Sequence, residues 1–254
     1  MFFAILNFTL SGAIFVIGIL TLRKVSSPNE VVFASLPLLF SLHQFTQGFV
    51  WLGLDGLIGN RALHMSETIF VFYAQGLLQF LVPFALWLIE PKSIRKHMIA
   101  VLMYLGAFLT AYSLWKLSIV PTSVSIVDGV LSYNNPATKH LWLAVGYVLT
   151  TCGALILSSS IAIQLFGWLN LLGLTIVYLF KPYGFTSLWC LYAAAVSVLL
   201  YFYFLERRIS FLQQIREKEN GLNETLTKEL SRLEGYYPRF RKTFEESDRS
   251  HHKV

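Results

Sequence analysis

The sequence predicts an all-α protein: a bundle of seven transmembrane helices, N-terminus outside, with a short outer β-hairpin and a C-terminal cytoplasmic amphipathic helix. Three observations carry that reading. Hydrophobic residues make up 55% of the 254 residues and charged residues only 13%, about half the charged share of an ordinary soluble domain. Seven long apolar stretches fill residues 1–205, and about 20 such residues suffice for an α-helix to cross the hydrocarbon core. Charge is also unevenly placed: residues 1–205 hold nine Lys or Arg and five Asp or Glu, residues 206–254 eleven and nine.

The first stretch, Phe3–Leu22, has the position of a signal peptide but neither its basic start nor its small-residue cleavage site. Arg23 and Lys24 follow it, so it reads as a retained helix. Val31–Leu54, Thr68–Ile89, His97–Leu117, Leu141–Leu157, Ile161–Phe180 and Gly184–Leu205 complete the set. Orientation follows from basic residues in short loops, which stay cytoplasmic. An external N-terminus puts Arg23, Lys24, Lys92, Arg95, Lys96, Arg207 and Arg208 inside. Arg61, Lys116, Lys139 and Lys181 then lie outside, spread singly and partly offset by Asp55, Glu67 and Asp128. The weakest joint is Ser158–Ser160, an uncharged break between the fifth and sixth stretches. One kinked helix there would carry the tail to the other side.

The long fourth connection alternates Val124 to Val127 and Val130 to Tyr133 around Asp128 and Gly129. That dipeptide suits a type I′ turn and predicts a β-hairpin. After the membrane domain, 1–205, residues 206–235 form a charged helix with Leu212, Ile215, Leu222, Leu226 and Leu233 at three-, four- and seven-residue steps. Such a seam supports weak self-association or a place on the membrane surface. Residues 236–254 show no apolar period and read as a flexible tail. The net charge of +6 is shared between body and tail, which argues for contact with anionic lipid rather than nucleic acid. Cys152 and Cys190 sit about 7 Å apart in depth, counted at ~1.5 Å per residue, and read as separate thiols.

His43 is the only His, Asp, Glu, Lys or Arg near the middle of any stretch. An ionisable group at that depth must find partners inside the protein and leans towards function. Gln44, Gln47 and Trp51 follow it at helical spacings, and the next stretch offers Tyr73, Gln75 and Gln79. These residues predict a polar pocket at mid-depth between the second and third spans, with His43 titrating or contacting a ligand and Trp51 and Tyr73 as walls. The same groups also fit plain interhelical hydrogen bonds of about 1 kcal/mol each that fix helix register. No second His or carboxylate lies at the depth of His43, so no metal site is predicted there. His64, Glu67, His140 and Asp55 could gather at the outer face as a metal or acid–base cluster. The last span lacks a lysine for a retinal Schiff base, and no Gly-x-Ser-x-Gly, His-Glu-x-x-His or P-loop motif occurs.

Three groups of residues also form a set: Leu38, Leu39, Phe40, Gln44, Gly48 and Trp51; Phe72, Tyr73, Gln75, Val82, Pro83, Trp87, Glu90 and Pro91; and Ser187, Trp189, Cys190, Ala193 to Ala195 and Ser197. With them the chain resembles, over about residues 8–205, an uncharacterised family of bacterial membrane proteins, a domain of unknown function. The resemblance implies a bacterial inner-membrane, multi-pass protein. It also implies Gln at position 43, Glu at 47 and a Cys-Phe-Ser start, where this chain has His43, Gln47 and Phe2-Phe3-Ala4. The expectation is therefore a membrane protein that senses or transports a small molecule. An enzyme built on His43 and a scaffold acting through its tail are the alternatives. No reaction, ligand or cofactor is specified.

Overall fold

Apolar runs free of internal breakers become helices almost wherever the sequence offers them. A computed structural model describes residues 1–136, 140–181 and 184–251, without the side chains of 185, 190, 193, 230 and those from 233 onward. Expectations placed on Lys139, the thiol of Cys190, Leu233 and the charged end after Gly235 fall outside the described side chains. The chain divides into two units, Met1–Glu206 and Arg207–Val254.

The first unit is helical apart from one hairpin. Its helices are α1 (Phe2–Leu22), α2 (Val31–Ala34), α3 (Leu36–Leu54), α4 (Asn60–Val71), α5 (Leu78–Ile89), α6 (Ile94–Ile119), α7 (Leu141–Val148), α8 (Ala154–Leu157), α9 (Ile161–Phe180) and α10 (Phe185–Val196). α11 (Val198–His251) starts in this unit and supplies the second. Single π-helical turns, Phe72–Leu77 and Leu149–Gly153, join α4 to α5 and α7 to α8. Among the described residues, five helical stretches are long and apolar enough to cross a membrane: Phe2–Leu22, Asn60–Ile89, Ile94–Ile119, Ile161–Phe180 and Thr186–Glu229. Leu141–Leu157 is apolar but shorter. α3, which carries Ser41, His43, Gln44, Thr46 and Gln47, is not among the five.

Two helices differ from the apolar stretches that predicted them. Hydropathy starts the third at Thr68, but α4 begins at Asn60 because Gly59 is extended and lets the chain turn in ahead of a polar first turn. The second is divided at Ser35, one residue before the Leu36-Pro37 start of α3, where proline is tolerated because its missing N–H would have no partner. The hairpin forms as the alternation indicates. β1 (Ser123–Val127) pairs antiparallel with β2 (Val130–Asn134), and Asp128 and Gly129 both take positive φ, 50° and 77°. Those are the angles a type I′ turn demands.

Packing begins with α1 against α3. α1 buries Ala4, Asn7, Ser11, Ile14, Gly18 and Thr21, a heptad stripe of mostly small residues that lets the helices approach closely. Ser11 and Ser41 lock the pair, each hydroxyl donating to the other's backbone carbonyl at 2.9 Å. α5 meets α6 at Gly106, where any Cβ would collide with the backbone carbonyl of Gln79. α9 folds back on α8 and its π turn, with Gly167 against Leu155 and Ile156.

Polar groups collect at the two ends of this unit. At one, the buried Glu90 carboxylate accepts from the Ser158 hydroxyl at 3.0 Å and the Ser159 N–H at 2.9 Å. Arg95 and Gln164 both donate to the Ser158 carbonyl, and the turn Pro28–Glu30 packs on α5 nearby. At the other end the amino terminus pairs with Asp55, His64 lies 3.1 Å from Glu67, and the Glu67 carboxylate accepts from the Val124 backbone. The hairpin packs there on α4 and α10. Between the ends, residues such as Phe15, Val16, Val101, Phe108, Leu165 and Leu172 remain exposed on helix faces.

Candidate functional site

His43, near the centre of α3, is 2% exposed and held by rings. Its imidazole stacks on Phe70 with centroids 3.9 Å apart and on Tyr73 at 5.1 Å. Phe70 in turn stacks on Tyr133 of β2 at 4.3 Å. The result is a four-ring column, Tyr73–His43–Phe70–Tyr133, that ties α3 and α4 to the hairpin. Neither ring nitrogen of His43 has a protein hydrogen-bond partner, and neither does the side-chain amide of the fully buried Gln44. Polar atoms left in that condition cost about 1–3 kcal/mol each.

The other predicted residues divide into two groups. Gln47 donates its amide to the Ser187 hydroxyl of α10. Trp51 stacks on Phe3 of α1 at 4.6 Å and belongs to the α1–α3 contact. Gln75, within the π turn, donates to the Thr186 hydroxyl at 3.0 Å, and Gln79 donates to the Gln75 carbonyl. Gln75 and Gln79 line a cavity of about 710 Å³, whereas His43, Gln44, Gln47, Trp51 and Tyr73 do not. No residue of α3 is among those that line the cavity. Ser113 of α6, Tyr133 of β2, Tyr147 of α7, Tyr178 of α9 and Thr186 and Trp189 of α10 contribute to it. Because Thr186 and Ser187 are adjacent, α10 joins the α3 group to the cavity wall through two neighbouring hydroxyls.

Both π turns border this space, one through Gln75 and the other through Leu149. A π turn frees backbone groups and widens a helix locally, and such turns gather at functional sites. Here threonine hydroxyls add hydrogen bonds to backbone carbonyls in and beside the turns. Thr110 donates to that of Gly76 at 2.8 Å, Thr150 to that of Gly146 at 2.9 Å and Thr151 to that of Tyr147 at 2.7 Å. Trp189 donates its indole N–H to the Tyr147 hydroxyl at 2.8 Å and fixes the back wall. The Oε1 atoms of Gln75 and Gln79 keep no protein partner, and Gln79 is 2% exposed. Among the described residues no three His, Cys, Asp or Glu side chains converge to hold a metal ion, and the end-face groups form separate pairs instead.

The sequence reading did not place Ser113, Tyr133, Tyr147, Thr186, Ser187 or Trp189 in the site. Trp189 and Ser187 belong to the motif set behind the resemblance, and Tyr133 alternates with Leu131 along β2. Tyr147 and Thr186 carry no comparable signal.

Fold and site together define a helical protein with helices long and apolar enough to cross a membrane, wrapped about a neutral, hydrogen-bonding cavity. Residues 2–214 match a family of unknown function, DUF6629, and the chain belongs to it. No curated protein and no solved structure matches the chain.

Proposed function

We propose that this is a multi-pass protein of the bacterial inner membrane, with seven spans and an external N-terminus, that binds a small molecule in the α5–α10 cavity as a sensor or transporter. The placement of loops supports the topology. Glu90, Arg95 and Ser158–Ser159 meet at one end, together with the Pro28–Glu30 turn, while the amino terminus, Asp55 and the hairpin lie at the other. The span that completes the seven in this reading is α3, second in chain order, whose polar residues face its neighbours: His43, Gln44 and Gln47 are all buried.

One observation carries the binding proposal. Gln79, a residue of the cavity wall, keeps a buried side-chain oxygen without a protein partner, and the cavity's other polar walls are also neutral. His43 stands one layer behind, as the ionisable group coupled to the cavity through the stacked rings of Phe70 and Tyr133, the second of which lines it. The exposed stripe Leu212, Ile215, Leu222 and Leu226 supports weak self-association of the tail. A thermal-shift screen of small molecules on the detergent-solubilised full chain, alongside its Gln75→Leu/Gln79→Leu variant, tests the site. A compound that stabilises the wild type and leaves the variant unmoved is the expected result. If every stabilising compound acts equally on both proteins, the cavity is not the binding site.

A further inference from the structure

We infer that the cavity takes an uncharged, single-chain amphiphile that enters sideways from the bilayer between α7 and α9. This deepens the binding proposal and rests on it. Three observations point to that ligand class. First, the described lining contains no Asp, Glu, Lys, Arg or His, while Gln75, Gln79, Ser113, Thr186 and Trp189 supply neutral donors and acceptors. A charged headgroup would lose its hydration there and gain no counter-charge. A hydroxyl or an amide N–H would donate to Gln79 Oε1, which has no protein partner.

Second, one wall is apolar and exposed. Leu141, Val145 and Leu149 follow one another at four-residue steps along α7 and its π turn, and Tyr178 faces them from α9. Leu141 is 79% and Tyr178 63% exposed, on helices whose outer faces meet lipid in the proposed topology. Third, the described side-chain hydrogen bonds at the joint between α8 and α9 lie at its Ser158 end. Glu90, Arg95 and Gln164 pin the joint, and Gly167 sits against Leu155 and Ile156. Towards Leu141 and Phe180, α7 and α9 flank the cavity instead. An opening on that side receives solutes dissolved in the membrane, and a volume of about 710 Å³ falls within the range of small-molecule sites.

The test uses the full chain in phosphatidylcholine nanodiscs and hexadecanol bearing a chain diazirine, with the matching fatty acid and alkyltrimethylammonium as comparisons. The alcohol should label residues 141–149 and 174–178 saturably, while labelling of exposed α1 residues stays unsaturable. Gln75→Leu/Gln79→Leu should cut cavity labelling about tenfold, the value of one good hydrogen bond. Leu149→Trp should also cut it, by narrowing the mouth. Helical circular dichroism and a single size-exclusion peak establish that each variant is folded. Equal labelling by acid or ammonium would overturn the uncharged class and leave the cavity reading intact. A parallel arm places Ser113→Cys in a Cys152→Ala/Cys190→Ala background and treats it with N-ethylmaleimide. If that cysteine reacts but no amphiphile labels saturably, the amphiphile is overturned and the cavity survives. If it does not react and nothing labels, both proposals fall.

Discussion

Aromatic stacking, not hydrogen bonding, holds the one ionisable side chain buried at the centre of a helix. His43 lies between Phe70 and Tyr73, so shape matters more than polarity for keeping its ring in place. His43→Phe should preserve the column and remove two unpartnered nitrogens, leaving thermal stability in detergent equal to or above wild type. His43→Ala should lower it by about 3 kcal/mol through the cavity it opens. If ligand response is lost in the phenylalanine variant while the fold stands, the imidazole is functional. Glycines give a second contrast. Gly106→Ala should destabilise by about 1–3 kcal/mol, because the atom in its way is backbone and cannot rotate aside. Gly12→Ala, with open space around it, should be neutral or stabilising by about 0.5–1 kcal/mol. Sequence alone identified His43 as buried, since hydropathy fixes depth. It could not identify Phe70 and Tyr133 as neighbours, because helix rotation decides which rings meet.

The hairpin was legible in detail as an element, because alternation and an Asp-Gly turn are local signals. The joint at Ser158–Ser160 was not, since what defines it comes from Glu90, sixty-eight residues earlier. Removing that carboxylate leaves a buried hydroxyl and a backbone N–H without their acceptor. Glu90→Ala should therefore cost roughly 2–4 kcal/mol, read as a lowered unfolding temperature, while Glu90→Gln should cost less because its remaining oxygen still accepts one of the two bonds. An unchanged melting curve for the alanine variant would show that the joint is held by packing alone. The start of α4 eluded a hydropathy reading because its first two turns are polar. α1 is the reverse case: its stripe Ala4, Asn7, Ser11, Ile14, Gly18 and Thr21 stands in the sequence at heptad spacing. It is easily overlooked because small residues carry little hydropathic contrast.

Over the whole molecule, the proposed topology makes a direct prediction for labelling intact cells. Cysteines placed at Ser26 and Ser159 should both resist a membrane-impermeant maleimide, and one at Asp128 should react. Reaction at Ser159 alongside Asp128 would mean that α8 and α9 do not cross separately. The helical architecture was readable because long apolar runs, whose backbone groups must be paired within the segment, leave few alternatives. The cavity was not readable, since it lies where α5 to α10 and the hairpin meet, and no single segment encodes that meeting. The π turn at Phe72–Leu77 has one more consequence. It fixes the phase of a continuous rod that sets Phe70 against His43 near one end and Glu90 against Ser158 near the other. Deleting one residue within it would turn everything beyond by about 100° and draw it back ~1.5 Å. Gln79 and Glu90 would then swing away from the cavity and the joint together. Across this stretch the chain should accept exchange of side chains far more readily than a change in its count.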